Sequence, residues 1–169
     1  MIWFTADPHF GHQKIIKYCD RPFETYQEMD EVLIENWNSL VKSRDIVYVL
    51  GDFSMMSKPK LLNQWFQRLK GKKILIVGNH DSNACKKLSW TAVYDVRMLK
   101  HDGHKLWLSH YPHRSWPDSA TGSMHLFGHV HGRLPRHKRS MDVGVDVHDF
   151  KPVSFDQVLA ELGNKGIAL

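Results

Sequence analysis

The chain has 169 residues, is 42% hydrophobic, and carries a formal charge of +5 from 23 Lys and Arg against 18 Asp and Glu. A chain of this size and balance builds a core without staples, which excludes disordered and collagen-like classes, and no apolar run approaches the roughly 20 residues that span a bilayer. Two cysteines, Cys19 and Cys85, are too few for a disulfide framework, and the run Met1 to Asp7 lacks the basic start of a signal peptide; the expectation is one domain over residues 1–169 in the cytoplasm.

In chain order, Ile2-Trp3-Phe4 opens as a strand. A short helix is expected at Gln13–Tyr18. Thr25-Tyr26-Gln27-Glu28 has the form of a capping box, and Met29, Val32, Leu33, Trp37, Leu40 and Val41 follow at helical spacing. Ile46 to Leu50 reads as a second strand, stopped by Gly51-Asp52. Leu61, Leu62, Trp65, Phe66 and Leu69 predict a helix closed near Gly71, and Ile74 to Val77 a third strand, stopped by Gly78-Asn79-His80-Asp81. Continuous apolar runs rich in β-branched residues read as strands buried on both faces, and their alternation with helices is an α/β signature. Val93 to Leu99 and Lys105 to Ser109 flank Asp102-Gly103 as a hairpin. Short strands follow at Leu126-Phe127 and Met141 to Val145, and Ser154-Phe155-Asp156-Gln157 opens a last helix with a second capping box.

Twelve histidines are an excess that needs a cause, and histidine is the commonest metal ligand. Asp7 and His9 follow the first strand, Asp52 the second, and Asn79, His80 and Asp81 the third. His110 follows Ser109, and His129 and His131 follow Leu126-Phe127-Gly128. Singly, each has an ordinary explanation. Asp or Asn after a strand serves as a turn residue, and alternate residues such as His129 and His131 face apart unless the backbone bends. Those explanations fail together, because all five clusters occupy one topological position, the strand ends where α/β sheets bind ligands.

Asp7-x-His9, Gly51-Asp52, Gly78-Asn79-His80-Asp81, His110 and Gly128-His129-x-His131 resemble, in order, the five motifs of the calcineurin-like metallophosphoesterase superfamily, over residues 7 to 131. Asp7-Pro8-His9-Phe10-Gly11-His12, and Val143 to Asp146 with Lys151 to Ser154, are similar to small bacterial and phage phosphoesterases. The resemblance implies an α/β fold, a four-layer α-β-β-α sandwich of mixed sheets with the metal site at the C-terminal ends of strands. It implies one divalent ion on Asp7, His9 and His131, a second on Asn79, His110 and His129, and Asp52 bridging both. Imidazole, amide and carboxylate donors without thiolate suit Mn²⁺ first, with Fe, Zn²⁺, Ni²⁺ or Co²⁺ also compatible.

The function implied is hydrolysis of phosphodiester or phosphomonoester bonds by a metal-bridging hydroxide, with His80 giving a proton to the leaving alkoxide. Asp81 either orients the His80 ring or caps the following helix. His12 either touches substrate phosphate or caps the helix at Gln13. His113 and Arg114 line the pocket or lie on a solvated loop. Arg133 opens a basic stretch, through Arg136 to Arg139, that either steers a polyanion or is solvated. Tyr111 and Trp116 either stack on a base or pack in the core. His101, His104, His125, His137 and His148 match no motif and read as surface or structural. The partner expected is a phosphate ester, nucleotide or nucleic acid, with no membrane; the oligomeric state stays open. A nuclease or nucleic-acid end-processing enzyme is the alternative within the enzyme class, and a non-catalytic protein-binding scaffold the alternative outside it. A P-loop protein is excluded, because no G-x-x-x-x-G-K-[ST] occurs.

Overall fold

The computed structural model describes residues 1–135 and 137–163. In chain order its strands are β1 (Ile2–Thr5), β2 (Ile46–Val49), β3 (Lys72–Ile76), β4 (Ala92–Tyr94), β5 (Val96–His101), β6 (His104–Ser109), β7 (Met124–Phe127), β8 (Ser140–Asp142) and β9 (Val153–Ser154). The α-helices are α1 (Gln13–Tyr18), α2 (Tyr26–Leu40), α3 (Pro59–Arg68), α4 (Asn83–Lys86) and α5 (Phe155–Leu162). Arg136 of the basic stretch, and residues 164–169 of the expected domain, lie outside the described residues.

The strands expected from continuous apolar runs form the middle of a five-stranded sheet, ordered β4-β3-β2-β1-β9 and parallel except at β9. A four-stranded sheet, β5-β6-β7-β8, is antiparallel only at the β5–β6 hairpin. This is the mixed α/β fold expected.

Alternation along the first sheet divides the core. Trp3, Val47, Val49 and Leu75 pack on Met29, Leu33 and Trp37 of α2 and Leu62, Trp65 and Phe66 of α3. Ile2, Phe4, Tyr48, Ile74 and Ile76 point the other way, onto Leu106, Leu108, Met124, Leu126 and Met141 of the second sheet and Phe155 and Val158 of α5. Period-two geometry makes both faces apolar, so the strands read as unbroken hydrophobic runs. On the outer face of the second sheet, buried His125 stacks against His113, Trp116 and Phe127.

Helix starts follow the sequence signals closely. Thr25 accepts from the Glu28 amide at 3.2 Å, but the Glu28 carboxylate returns to the Glu24 amide, one residue earlier than a capping box requires. Ser154 and Gln157 make the full reciprocal box. The run Val93 to Leu99, expected as one strand, is two. β4 pairs with β3 in the first sheet, and after Asp95 β5 pairs with β6 in the second. The strand expected through Val145 stops at Asp142, whose carboxylate accepts from the Gly144 amide at 2.8 Å and turns the chain.

Leu108 is fully buried between the sheets, whereas the Arg68–Glu31 ion pair is half exposed on both sides. Leu108→Ala is expected to cost about 2–5 kcal/mol of unfolding free energy, and Arg68→Ala less than about 1 kcal/mol, as read by urea denaturation.

Candidate metal centre

The parallel register places Thr5 beside Val49 and Val49 beside Leu75, so the loops after three strands emerge together. They are clasped by backbone bonds. The Asp7 amide donates to Gly51 O at 3.1 Å and the His9 amide to Asp52 O at 3.1 Å. The second sheet joins through the Gly128 amide, which donates to His110 O at 3.0 Å, and the His129 amide, which donates to Asp7 Oδ2 at 2.8 Å.

Two glycines let these loops approach. A Cβ on Gly78 would fall on the Asp52 carboxylate, and one on Gly128 on the Asp7 carboxylate. Asp7, His9, Asp52, His129 and His131 all have left-handed backbone, with φ of 56°, 52°, 54°, 71° and 50°. This is the bend that the His129-x-His131 spacing requires. Such conformations cost of order 1–3 kcal/mol each and gather at functional sites.

The side chains fall into adjoining groups, each with ligand atoms within 4.8 Å of one another: Asp7, His9 and His131 in one, Asp52, His110 and His129 in the other. Asn79 joins the second group, with its Oδ1 3.0 Å from His110 Nε2. Asp52 Oδ2 lies between the groups, 3.6 Å from His9 Nε2 and 3.5 Å from His110 Nε2. A third group, Cys19, His131 and Asp146, shares His131.

The residues fit divalent cations. Asp7 Oδ1 and both ring nitrogens of His9 are buried and lack any hydrogen-bond partner. His110 Nδ1 is 2.8 Å from Leu50 O, a carbonyl that only accepts, so Nδ1 carries a proton and Nε2, facing Asn79 Oδ1 and Asp52 Oδ2, is the nitrogen a cation would take. Burial brings the His9 pKa down to about 3, so its ring is neutral and its lone pair available. Burial opposes the charge on Asp52, but the His110 ring beside it brings that carboxyl down to about 2. Burial pushes Asp7 up to about 7. Burial also opposes charge on His131, yet the hydrogen bond to Asp146 raises it to about 10.

His80 reaches the site from the β3 loop. Its amide donates to Asp52 Oδ1 at 2.9 Å, and its ring lies 5.7 Å from that of His9, on a cavity of about 450 Å³ shared with His12, His129 and His131. The His12 ring stands 5.5 Å from His9, and its Nδ1 is buried without a partner. His12 is also the N-cap residue of α1 by position, but its side chain makes no capping bond. Lys14, Tyr18 and Arg133 wall the same cavity, Arg133 donating to Tyr18 O.

Several expectations are corrected. Asp81 neither orients His80 nor caps α4. Its oxygens accept from the amides of Asp52 (3.0 Å), Phe53 (2.9 Å) and Gly78 (2.8 Å), so it ties two site loops together, and Ser82 is the cap. His113 accepts from Trp107 Nε1 at 2.9 Å and stacks on His125; it borders a second cavity beside Asn79 and His110. Arg114 is exposed and lines neither cavity. Trp116 is buried, its Nε1 donating to Ser123 O, while exposed Tyr111 packs on His129 with ring centres 4.6 Å apart.

Sequence reasoning missed Arg21 and Asp146. The Arg21 guanidinium is wholly buried and grips both Asp146 oxygens at 2.8 and 2.9 Å, and Asp146 Oδ2 is 2.7 Å from His131 Nδ1. A ligand histidine commonly needs such a carboxylate, but Asp142, Asp146 and Asp149 all follow His131, and spacing does not select among them.

Residues 1–163 match the family model for calcineurin-like phosphoesterases. The chain belongs to this family. An uncharacterized protein of the archaeon Methanocaldococcus jannaschii is 35% identical over 98% of this chain and 92% of its own length. A solved structure of a protein of unknown function from Aquifex aeolicus matches with a TM-score of 0.75 and 26% identity, over 95% of this chain and 98% of that one. A solved archaeal phosphodiesterase shares the fold at a TM-score of 0.50 and 17% identity, over 85% and 81% of the two chains. Family and donor groups together support a metal-dependent phosphoesterase.

For a calcineurin-like phosphoesterase, the ligand protons set the pH dependence of metal uptake. Burial raises Asp7 to about 7 and the Asp146 contact raises His131 to about 10, so a cation held by both would displace their protons. Metal affinity of the stripped protein is therefore expected to rise with pH through neutrality, with protons released. Titration calorimetry of Mn²⁺ in buffers of different ionisation enthalpy reads both effects.

Proposed function

We propose that the chain is a two-metal phosphoesterase that opens phosphodiester or phosphomonoester bonds. One observation carries this reading: Asp52 Oδ2 sits 3.6 and 3.5 Å from a nitrogen of each candidate ligand group, a position from which one carboxylate could serve two cations. Asp7, His9 and His131 would hold one ion and Asn79, His110 and His129 the other, Mn²⁺ being the first choice for this oxygen and nitrogen set. When bound, the ions supply an acidified water nucleophile and neutralise charge on the phosphoryl oxygens.

The rest of the chemistry belongs to the chain. His80 projects into the cavity beside the ligands and gives its proton to the departing ester oxygen. His12, on the same cavity, meets a phosphoryl oxygen. Lys14 and Arg133 draw the anionic substrate in and screen its remaining charge. Asp81 keeps the Asp52 and Asn79 loops at fixed spacing through three amide bonds, which preserves the in-line geometry. A nucleotide or nucleic-acid substrate is favoured by Tyr18, which is 59% exposed on the cavity wall and offers a face for a base.

The test is turnover of an aryl phosphodiester and an aryl phosphomonoester by metal-stripped protein with Mn²⁺, Ni²⁺, Zn²⁺ or Mg²⁺ restored. Metal-dependent hydrolysis is expected. His80→Ala should lower kcat by about 10²–10⁴, Asp52→Asn at least as much, and His104→Ala, far from the ligands, should match the parent. Bound metal with no turnover of either ester would point to a scaffold. Equal activity in parent and Asp52→Asn would overturn the assigned site.

A further inference from the structure

We propose that Arg21 and Asp146 are positioning residues that fix the tautomer and orientation of His131 and brace the loop carrying Asp7 and His9. The inference rests on the metal-site reading above and deepens it.

Asp146 Oδ2 is 2.7 Å from His131 Nδ1. A carboxylate there holds the proton on Nδ1, so Nε2 is the nitrogen that a cation in the group with Asp7 and His9 would take, displacing its proton. The carboxylate is itself held. Arg21 Nε and NH2 meet its two oxygens at 2.8 and 2.9 Å, a planar two-point grip that lysine cannot reproduce. The same guanidinium donates to Asp7 O at 2.8 Å and Pro8 O at 3.1 Å. One cation thereby ties the backbone of Asp7 and Pro8 to the carboxylate that orients His131, 125 residues from Arg21 to Asp146.

The Cys19, His131 and Asp146 group offers a rival role, in which Asp146 is itself a metal ligand. The geometry argues against it. Both Asp146 oxygens are committed to the buried guanidinium, and a metal ion there would have to share that one carboxylate with Arg21.

The experiment compares Mn²⁺ binding by the full-length parent, Asp146→Asn and Arg21→Lys, with free Mn²⁺ counted by electron paramagnetic resonance and folding checked by circular dichroism. Asp118→Asn, at an exposed pair with Lys105, is the control. An amide at position 146 can donate to Nδ1 and so permits the wrong tautomer. Asp146→Asn is expected to bind one of the ions about 10–100-fold more weakly, and Arg21→Lys to weaken the same ion, with Asp118→Asn unchanged. Long-range proton–nitrogen spectra of Zn²⁺-loaded protein should show His131 with a protonated Nδ1 in the parent and lose that signature in Asp146→Asn. A folded Asp146→Asn with parental affinity and an unchanged His131 signature overturns the proposal and leaves the metal site standing. If Asp146→Asn does not fold, parental affinity in Arg21→Lys overturns it. A parent that binds no Mn²⁺ overturns the metal-site reading itself.

Discussion

Asp7 Oδ1 and both ring nitrogens of His9 are buried without a hydrogen-bond partner, and neither residue is more than 1% exposed. Each unmet polar atom costs about 1–3 kcal/mol, and more when charged. Asp7 Oδ1 and the one lone pair of the neutral His9 ring, next to an ionised Asp52, make a donor pocket that suits a divalent cation better than a packed core. The left-handed backbone at Asp7, His9, Asp52, His129 and His131 adds strain at the same place. The fold is organised around keeping that arrangement from relaxing: parallel strands bring the loops together, Gly78 and Gly128 allow their contact, and Asp81 holds three of their amides.

Electrostatics is graded outward from this point. His9 is neutral by burial, and Asp52 is ionised beside His110. Behind them stands the ion pair of Arg21 and Asp146, both largely out of water. A buried pair of this kind is weak evidence for stability. Its value here lies in direction, since a planar guanidinium and a carboxylate fix angles that a hydrophobic pair of equal volume would leave free.

The seven residues proposed as ligands are legible in the sequence because each lies within a few residues of the end of an apolar strand, and strand ends are easily read. The strands of the first sheet are legible for the same reason, since burial on both faces gives unbroken runs. The split of Val93 to Leu99 between two sheets is not, because alternation continues through Asp95 with no glycine or proline to mark the crossing. Asp81 is misread because a short polar residue before a helix has several local uses, and only the tertiary structure shows which amides it meets. Arg21 is silent in sequence: one arginine among many charges becomes informative only when it is seen buried against a carboxylate far along the chain.

The His129 amide reaches the Asp7 carboxylate across 122 residues, and Arg21 reaches Asp146 across 125. A ribosome therefore delivers the first half of the site long before the second. A nascent chain that ends short of His110 displays Asp7, His9, Asp52 and Asn79 without the imidazoles of His110, His129 and His131 that join them in the folded site. On the proposed ligand assignment neither set is complete until the second sheet has been made, so an ion held there would report that both sheets have docked.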